Sequence, residues 1–335
     1  MGGDHGPGVT VPAALDALKE YGQSLKLILV GDQSVIEQLL KKHKASPSSG
    51  LIIHHASEQV LMDESPATAL RYKKDSSMRV AINLVKNQTA DACVSAGNTG
   101  ALMAIARSVL KTLPGIDRPA IIYSLPVLLN RTSGQAGRVR MLDLGANVDC
   151  TAEHLVQFAV MGSMLTQGVD GLAAPRVGLL NIGSEAIKGS EVVKAAAQLL
   201  TDTPLLNYIG FVEGNDIYKG TADVIVCDGF VGNVALKTSE GLASMLISAI
   251  KNEFTKGFYS KFAALISAPV LTILKKKFDP SQYNGASLLG LNGIVIKSHG
   301  NANRKSYVQA IREARVEVEN NIVDKIRNKI AERLA

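Results

Sequence analysis

Short, unbroken aliphatic runs recur along this chain, and longer stretches between them return apolar residues every three or four positions. The runs fall at residues 25–30, 51–54, 92–95, 120–124, 139–144, 177–182, 205–209, 223–227 and 293–297. They do not alternate with polar residues and are rich in β-branched side chains, the pattern of strands covered on both faces. The stretches between them read as helices. Leu242, Met245, Leu246, Ala249 and Ile250 share one stripe, and Tyr307, Ile311, Val318, Ile322, Ile326 and Ile330 share another. Strand alternating with helix predicts an α/β fold with a doubly wound, mostly parallel sheet. There is no repeat of fixed period and no Pro/Ser linker, so residues 1–335 read as one α/β unit.

One segment departs from the alternation. Residues 254–278 are rich in large apolar side chains, edged by lysines and interrupted by Pro269. The uncharged part is shorter than the ~20 residues a spanning helix needs. Two short amphipathic helices broken at the proline are expected, packing on a second subunit or lying on an anionic bilayer.

Composition narrows the picture. Hydrophobic residues make up 46% and aromatics only 4%, with no Trp, so the core must be aliphatic. A net charge of +6 favours an acidic partner without choosing one. The basic residues are dispersed and not interleaved with aromatics, which argues against nucleic acid. Cys93, Cys150 and Cys227 are far apart and sit in or beside apolar runs, so free thiols in a reducing compartment are expected. The N-terminus shows no apolar signal region, and the chain reads as cytoplasmic.

Candidate chemistry lies where ligands bind in such sheets, beyond the carboxyl ends of strands. Those ends read Ser95-Ala-Gly97-Asn98-Thr99-Gly100, then Asp143 to Asp149 with Gly145 and Asn147, then Gly183 to Gly189 with Lys188. After them come Asp228-Gly229-Phe-Val-Gly232-Asn233 and Ser298-His299-Gly300-Asn301. Glycine lets backbone N–H groups approach an anion, and a following helix adds partial positive charge. GxxxxGK[ST], GxGxxG after the first strand, GxSxG and HExxH are all absent, removing the best markers of nucleotide, dinucleotide, esterase and zinc-protease chemistry. His54 and His55 read as structural. His299 is the histidine placed for function, the alternative being a buried, hydrogen-bonded one.

Taken together the loops closely resemble those of the bacterial phosphate acyltransferases of phospholipid synthesis, which make acyl phosphate from acyl–acyl carrier protein. The matching stretches are MGGDHGP at 1–7, SAGNTGA at 95–101, LDLGANVDC at 142–150, LLNIGSE at 179–185 with Lys188-Gly189, CDGFVGNVALKT at 227–238, QYNGASLLGL at 282–291 and KSHGNA at 297–302. The resemblance implies the three-layer fold of phosphotransacetylases and isocitrate dehydrogenases. It implies a homodimer with no metal or redox cofactor, working on inorganic phosphate and an acidic acyl carrier protein. It also implies a peripheral site on the inner face of the membrane, beside a downstream glycerol-3-phosphate acyltransferase. Members of that family carry a short apolar strand just before Met-Gly-Gly-Asp. The present sequence starts at that Met1, and a truncated start is expected.

Phosphate is largely anionic at neutral pH, and a thiolate of pKa roughly 8.5 leaves readily. Attack of phosphate on a thioester therefore needs little acid or base. It needs two anionic reactants brought together and an oxyanion stabilised. On the resemblance, Lys188 orients phosphate or stabilises the oxyanion, and Asn233 hydrogen-bonds the reacting carbonyl or phosphate. Ser95, Gly97, Asn98, Thr99 and Gly100 hold phosphate, Asn147, Asp149 and Asp228 order the loops, and Gly232 and His299 complete the site. The plainer alternatives are a solvated turn lysine for Lys188 and a helix N-cap for Asn233. Turn-building is the plainer role for the Asp/Asn loop residues. A short-chain enzyme acting on coenzyme A thioesters is the nearest rival by chemistry.

Overall fold

A computed structural model describes residues 1–127, 137–202, 206–277 and 280–334. In chain order the elements are α1 (Pro7–Tyr21), β1 (Leu27–Gly31), α2 (Gln33–Lys42), β2 (Leu51–His55), α3 (Pro66–Tyr72), α4 (Ser77–Lys86), β3 (Ala92–Ser95), α5 (Thr99–Leu110), β4 (Ala120–Pro126) and β5 (Arg138–Leu142). They continue as α6 (Ala152–Asp170), β6 (Arg176–Leu180), α7 (Glu191–Thr201), β7 (Asn207–Val212), β8 (Val224–Val226), α8 (Gly229–Thr255), α9 (Phe258–Lys277), β9 (Ala286–Leu289), β10 (Ile294–Lys297), α10 (Arg304–Glu319) and α11 (Ile322–Leu334).

Eight strands form one sheet in the order β3-β10-β9-β4-β5-β8-β6-β7. The outer pairs are parallel, β3 with β10 on one side and β5-β8-β6-β7 on the other. Between them the β10–β9, β9–β4 and β4–β5 pairings are antiparallel. Strand direction therefore reverses across the centre. β3 and β10 end at one edge of the sheet, here the first edge, and β5, β8 and β6 end at the opposite, second edge.

The three layers follow from the two-residue period of the strands. Met141 and Ile225 face one core cluster with Ile82 of α4 and Leu102 and Ile105 of α5. Their neighbours Leu142, Val224 and Val226 face the other, with Phe158 of α6 and Ile326 of α11. Each of these buried side chains contributes about 1.5–3 kcal/mol relative to exposure.

Among the described residues β1 and β2 pair only with each other, as a separate parallel pair. Between β1 and the outer edge of β3 lies a cavity of about 550 Å³, roofed by α1, α4 and α10 and entered by Met1. The side chain of Met1 lies over Gly31.

Three sequence expectations change. β9 falls in the QYNGASLLGL stretch, where no strand was expected. The stretch read as two helices broken at Pro269 is instead the end of α8 and a continuous α9 with the proline inside it. The break lies at Lys256-Gly257, because one proline costs a helix one hydrogen bond and a kink, which an exposed helix absorbs. The last helix divides into α10 and α11 at Asn321, whose φ of 50° is left-handed. Leu205 and Phe278, at the bounds of two expected segments, lie outside the described residues.

Candidate active site

At the first edge three loops meet backbone to backbone. Ser95 and Lys297 close β3 and β10 as register partners, and Ser298 N donates to Ser95 O at 2.8 Å. The Met1–Pro7 loop is tied in by Asp4 N, which donates to Gly300 O at 2.9 Å. Gly3 has a φ of 91°, and a Cβ there would stand 3.1 Å from Gly300 O; one on Gly2 would stand 2.7 Å from Gly97 Cα. Only glycine permits that approach. Ser95 Oγ accepts from Gly97 N at 3.2 Å. Asn98 caps α5 by accepting from Ala101 N at 3.0 Å, and its amide donates to Met62 O and Glu64 O at 3.0 and 2.8 Å. Thr99 then opens the helix, exposed, with Gly100 behind it.

Beneath these loops lies Lys297. Its ammonium donates to Ser298 O and, at 3.5 Å, to Ala96 O. Burial pulls its pKa down to about 8; Asp4 opposes that fall and Lys237 of α8 adds to it. His299 is exposed, contrary to the buried alternative, and its backbone N–H donates to Asn284 Oδ1 at 2.9 Å.

The second edge is organised by Asp143, which is fully buried. Its Oδ1 accepts from Ile121 N at 2.9 Å and Ala146 N at 3.0 Å; Oδ2 accepts from Asn147 N at 2.7 Å and Asn147 Nδ2 at 2.9 Å. Burial raises its pKa and those four bonds oppose the rise. Asn147 also donates to Pro119 O, and Gly229 N donates to Asn147 O at 2.7 Å. Asp228 caps α8 through Val231 N at 2.9 Å. Asn233 therefore lies inside the helix rather than at its cap. It is exposed, its side chain lies 3.6 Å from where a Cβ of Gly145 would be, and that side chain makes no hydrogen bond with a described residue. Gly232 fits because a Cβ there would fall 1.9 Å from Asp143 O. Asp149 is exposed, and its carbonyl accepts from Arg118 at 3.2 Å. Lys188 follows β6 in a turn held by Asn181, whose amide donates to Gly183 O and Lys188 O at 3.1 Å. Its ammonium is 3.9 Å from Glu185, and half its side chain is open to solvent.

The sequence-derived residues thus fall into two groups. Ser95, Gly97, Asn98, Thr99, Gly100 and His299 share the first edge. Asn147, Asp149, Asp228, Gly232 and Asn233 share the second, with the Lys188 turn leaving the same edge. Asn98, Asn147 and Asp228 spend their side chains on the loops themselves. The free cysteines are buried or half-buried, and burial pushes the Cys150 thiol up to about 11 and the Cys227 thiol well above its ordinary range. Neither is a thiolate nucleophile at neutral pH.

Residues 1–325 match the family model described as fatty acid synthesis protein. The phosphate acyltransferase of Methylococcus capsulatus is 60% identical over 326 residues, covering 97% of this chain and 94% of that one. That of Alkalilimnicola ehrlichii is 57% identical over 335 residues, covering 100% and 95%. The chain belongs to this family of phosphate acyltransferases. Among solved structures, a phosphotransacetylase from Streptococcus pyogenes superposes with a TM-score of 0.64 at 19% identity, covering 93% of this chain and 92% of that one. The EutD phosphotransacetylase from Staphylococcus aureus gives 0.56 at 15%, covering 92% and 99%. At those identities the likeness establishes the fold, an α/β architecture on a mixed, mostly parallel sheet.

Two residues of the family's loops escaped the sequence reading. Asp143 is one: nothing in LDLGAN distinguishes a buried loop-organiser from a turn residue. Lys297 is the other, and its signal was present: a lysine closing the apolar run Ile294-Val-Ile enters the sheet with its strand.

Proposed function

We propose that this chain transfers a long-chain acyl group from acyl carrier protein to inorganic phosphate, giving acyl phosphate for phospholipid synthesis. A phosphate oxygen bonds to the thioester carbonyl carbon, the C–S bond breaks, and the thiol leaves as thiolate to be protonated by solvent. The observation that carries the reading is the first-edge nest of glycine backbone over a buried lysine, opening into the N-terminus of α5. Such a nest suits a phosphate dianion. Lys188 and Asn233, exposed at the second edge, are assigned to the acyl carbonyl; Asn233 stands one helical turn before Lys237 on α8, so the carbonyl and the phosphate are taken to meet on the face of the sheet that α8 crosses. α8 starts among those loops and runs back along the sheet, bringing Lys237 within electrostatic reach of Lys297.

The net charge of +6 suits an acidic carrier protein. The α8–α9 hairpin leaves Leu242, Met245, Phe262, Leu265, Ile266 and Ile273 exposed. Such a surface fits a homodimer contact together with peripheral attachment to an anionic inner membrane from the cytoplasm. Among the described residues no helix is long and apolar enough to cross a membrane. The product is a labile mixed anhydride, so an acyltransferase using glycerol 3-phosphate would take it up nearby.

The test is incubation with phosphate and either acyl carrier protein thioester or acyl coenzyme A, trapping acyl phosphate with hydroxylamine. Trapped product from the carrier thioester supports the reading, and product from coenzyme A thioester alone replaces it with the short-chain, coenzyme A-dependent enzyme. Lys188→Ala should lose most of the activity; wild-type turnover would remove Lys188 from the chemistry.

A further inference from the structure

Along β10, Ile294 and Ile296 face α10, whereas Val295 faces the cluster shared with α5 and α8. Lys297 follows that alternation onto the face of α5 and α8. It is only 8% exposed, and among the described residues no carboxylate comes within ion-pair distance of it. A buried cation is costly without an opposite charge. An ammonium has three N–H donors, and the carbonyls of Ser298 and Ala96 engage two. The charged groups acting on it are Asp4 from the Met1–Pro7 loop and Lys237 from α8, the latter paired at 2.7 Å with Glu240; His299 lies exposed beyond it. Lys237, from the other half of the sheet, thus acts on Lys297 as a like charge. Like charges held together are stabilised by an anion that touches both.

We propose that Lys297 is a catalytic residue that grips the phosphate acceptor, with Lys237 completing the grip from the other half of the sheet. The inference rests on the acyl-transfer reading above. The two lysines offset the charge of the dianion. The Gly2-Gly3, Gly97 and α5 N–H groups supply the remaining contacts, and the bound phosphate gives Lys297 the counter-charge the protein withholds.

The experiment measures KM for phosphate and kcat by hydroxylamine trapping from pH 6.5 to 9.5. In parallel it measures the rise in melting temperature produced by inorganic phosphate alone. Lys297→Met should raise KM for phosphate by about ten- to a hundredfold and abolish the phosphate-induced rise. In the wild type, kcat/KM for phosphate should fall as pH rises through about 8, where Lys297 loses its proton. Lys237→Met lies on an exposed helix face and does not test the core. It should weaken phosphate several-fold and, by removing a like charge, move that alkaline fall to higher pH. Lys297→Arg, charged throughout the range, should lack the fall. A Lys297→Met protein with KM within twofold of wild type overturns the proposal, as does an alkaline limb unmoved in Lys237→Met. If the wild type makes no acyl phosphate, the functional reading fails. The melting shift then decides the phosphate site alone: lost in Lys297→Met it stands, retained it falls.

Discussion

Glu317 of α10 offers a test of how the core tolerates ionisable groups. It is 1% exposed, accepts from Ser287 Oγ of β9 at 3.0 Å through Oε2, and has no partner for Oε1. Beside it Glu313 pairs at 2.9 Å with Arg140, which also pairs at 2.9 Å with Asp170. Burial first, and the charge of Glu313 second, raise Glu317 from 4.5 to about 8, against Arg140 and Ser287. Its favourable contribution is therefore complete below the unfolded value of 4.5 and lost as pH rises through about 8. Between those values the unfolded chain releases a proton that the folded one keeps, at a cost of roughly 1.4 kcal/mol per pH unit. From pH 5.5 to 7.5 this amounts to about 2–3 kcal/mol from this one group. Glu317→Gln keeps the shape and removes the proton. Urea unfolding of both proteins at the two pH values should show the variant gaining about 2–3 kcal/mol on the wild type at the higher pH. A difference between variant and wild type that stays constant within ~0.5 kcal/mol would refute a neutral Glu317.

Gly232→Ala should prevent the second-edge loops from closing and abolish soluble, active protein, because its Cβ has no room beside Asp143 O. Gly241→Ala, further along α8 with nothing within 4 Å, should instead stabilise by about 0.5–1 kcal/mol in thermal or urea melts. Asp143→Ala strands three backbone donors and should cost about 3 kcal/mol or more in urea unfolding; a loss under ~1 kcal/mol would show that water replaces the carboxylate. Leu265→Glu, on the exposed apolar face of α9, should leave the protein in the supernatant when wild type sediments with anionic vesicles. Equal sedimentation would remove that face from membrane contact.

Most strands were legible because each is an unbroken aliphatic run covered on both faces, a property carried by the residues themselves. β9 was not. Ala286-Ser-Leu-Leu is four residues long and flanked by Gly285 and Gly290, and its place in the sheet is set by its neighbours β10 and β4. The reversal of strand direction at the centre was invisible for the same reason, since pairing sense is a relation between strands. That reversal matters for the site. Five Gly/Asn-rich loops look equivalent in sequence, yet topology sends Ser95 and His299 to one edge and Asn147 and Asn233 to the other. The stripe of Leu242, Met245, Leu246 and Ile250 was legible as a helical face but not as an uncovered one, because amphipathicity does not say what lies opposite.

The first-edge loops touch through main-chain atoms, Gly2 against Gly97 and Gly3 against Gly300. Asp4 N adds a hydrogen bond to Gly300 O, so their union depends on the path of the backbone and not on the chemistry of flanking side chains. At Gly2 and Gly3 the constraint is one of volume: a single added carbon separates the loops, whatever its polarity.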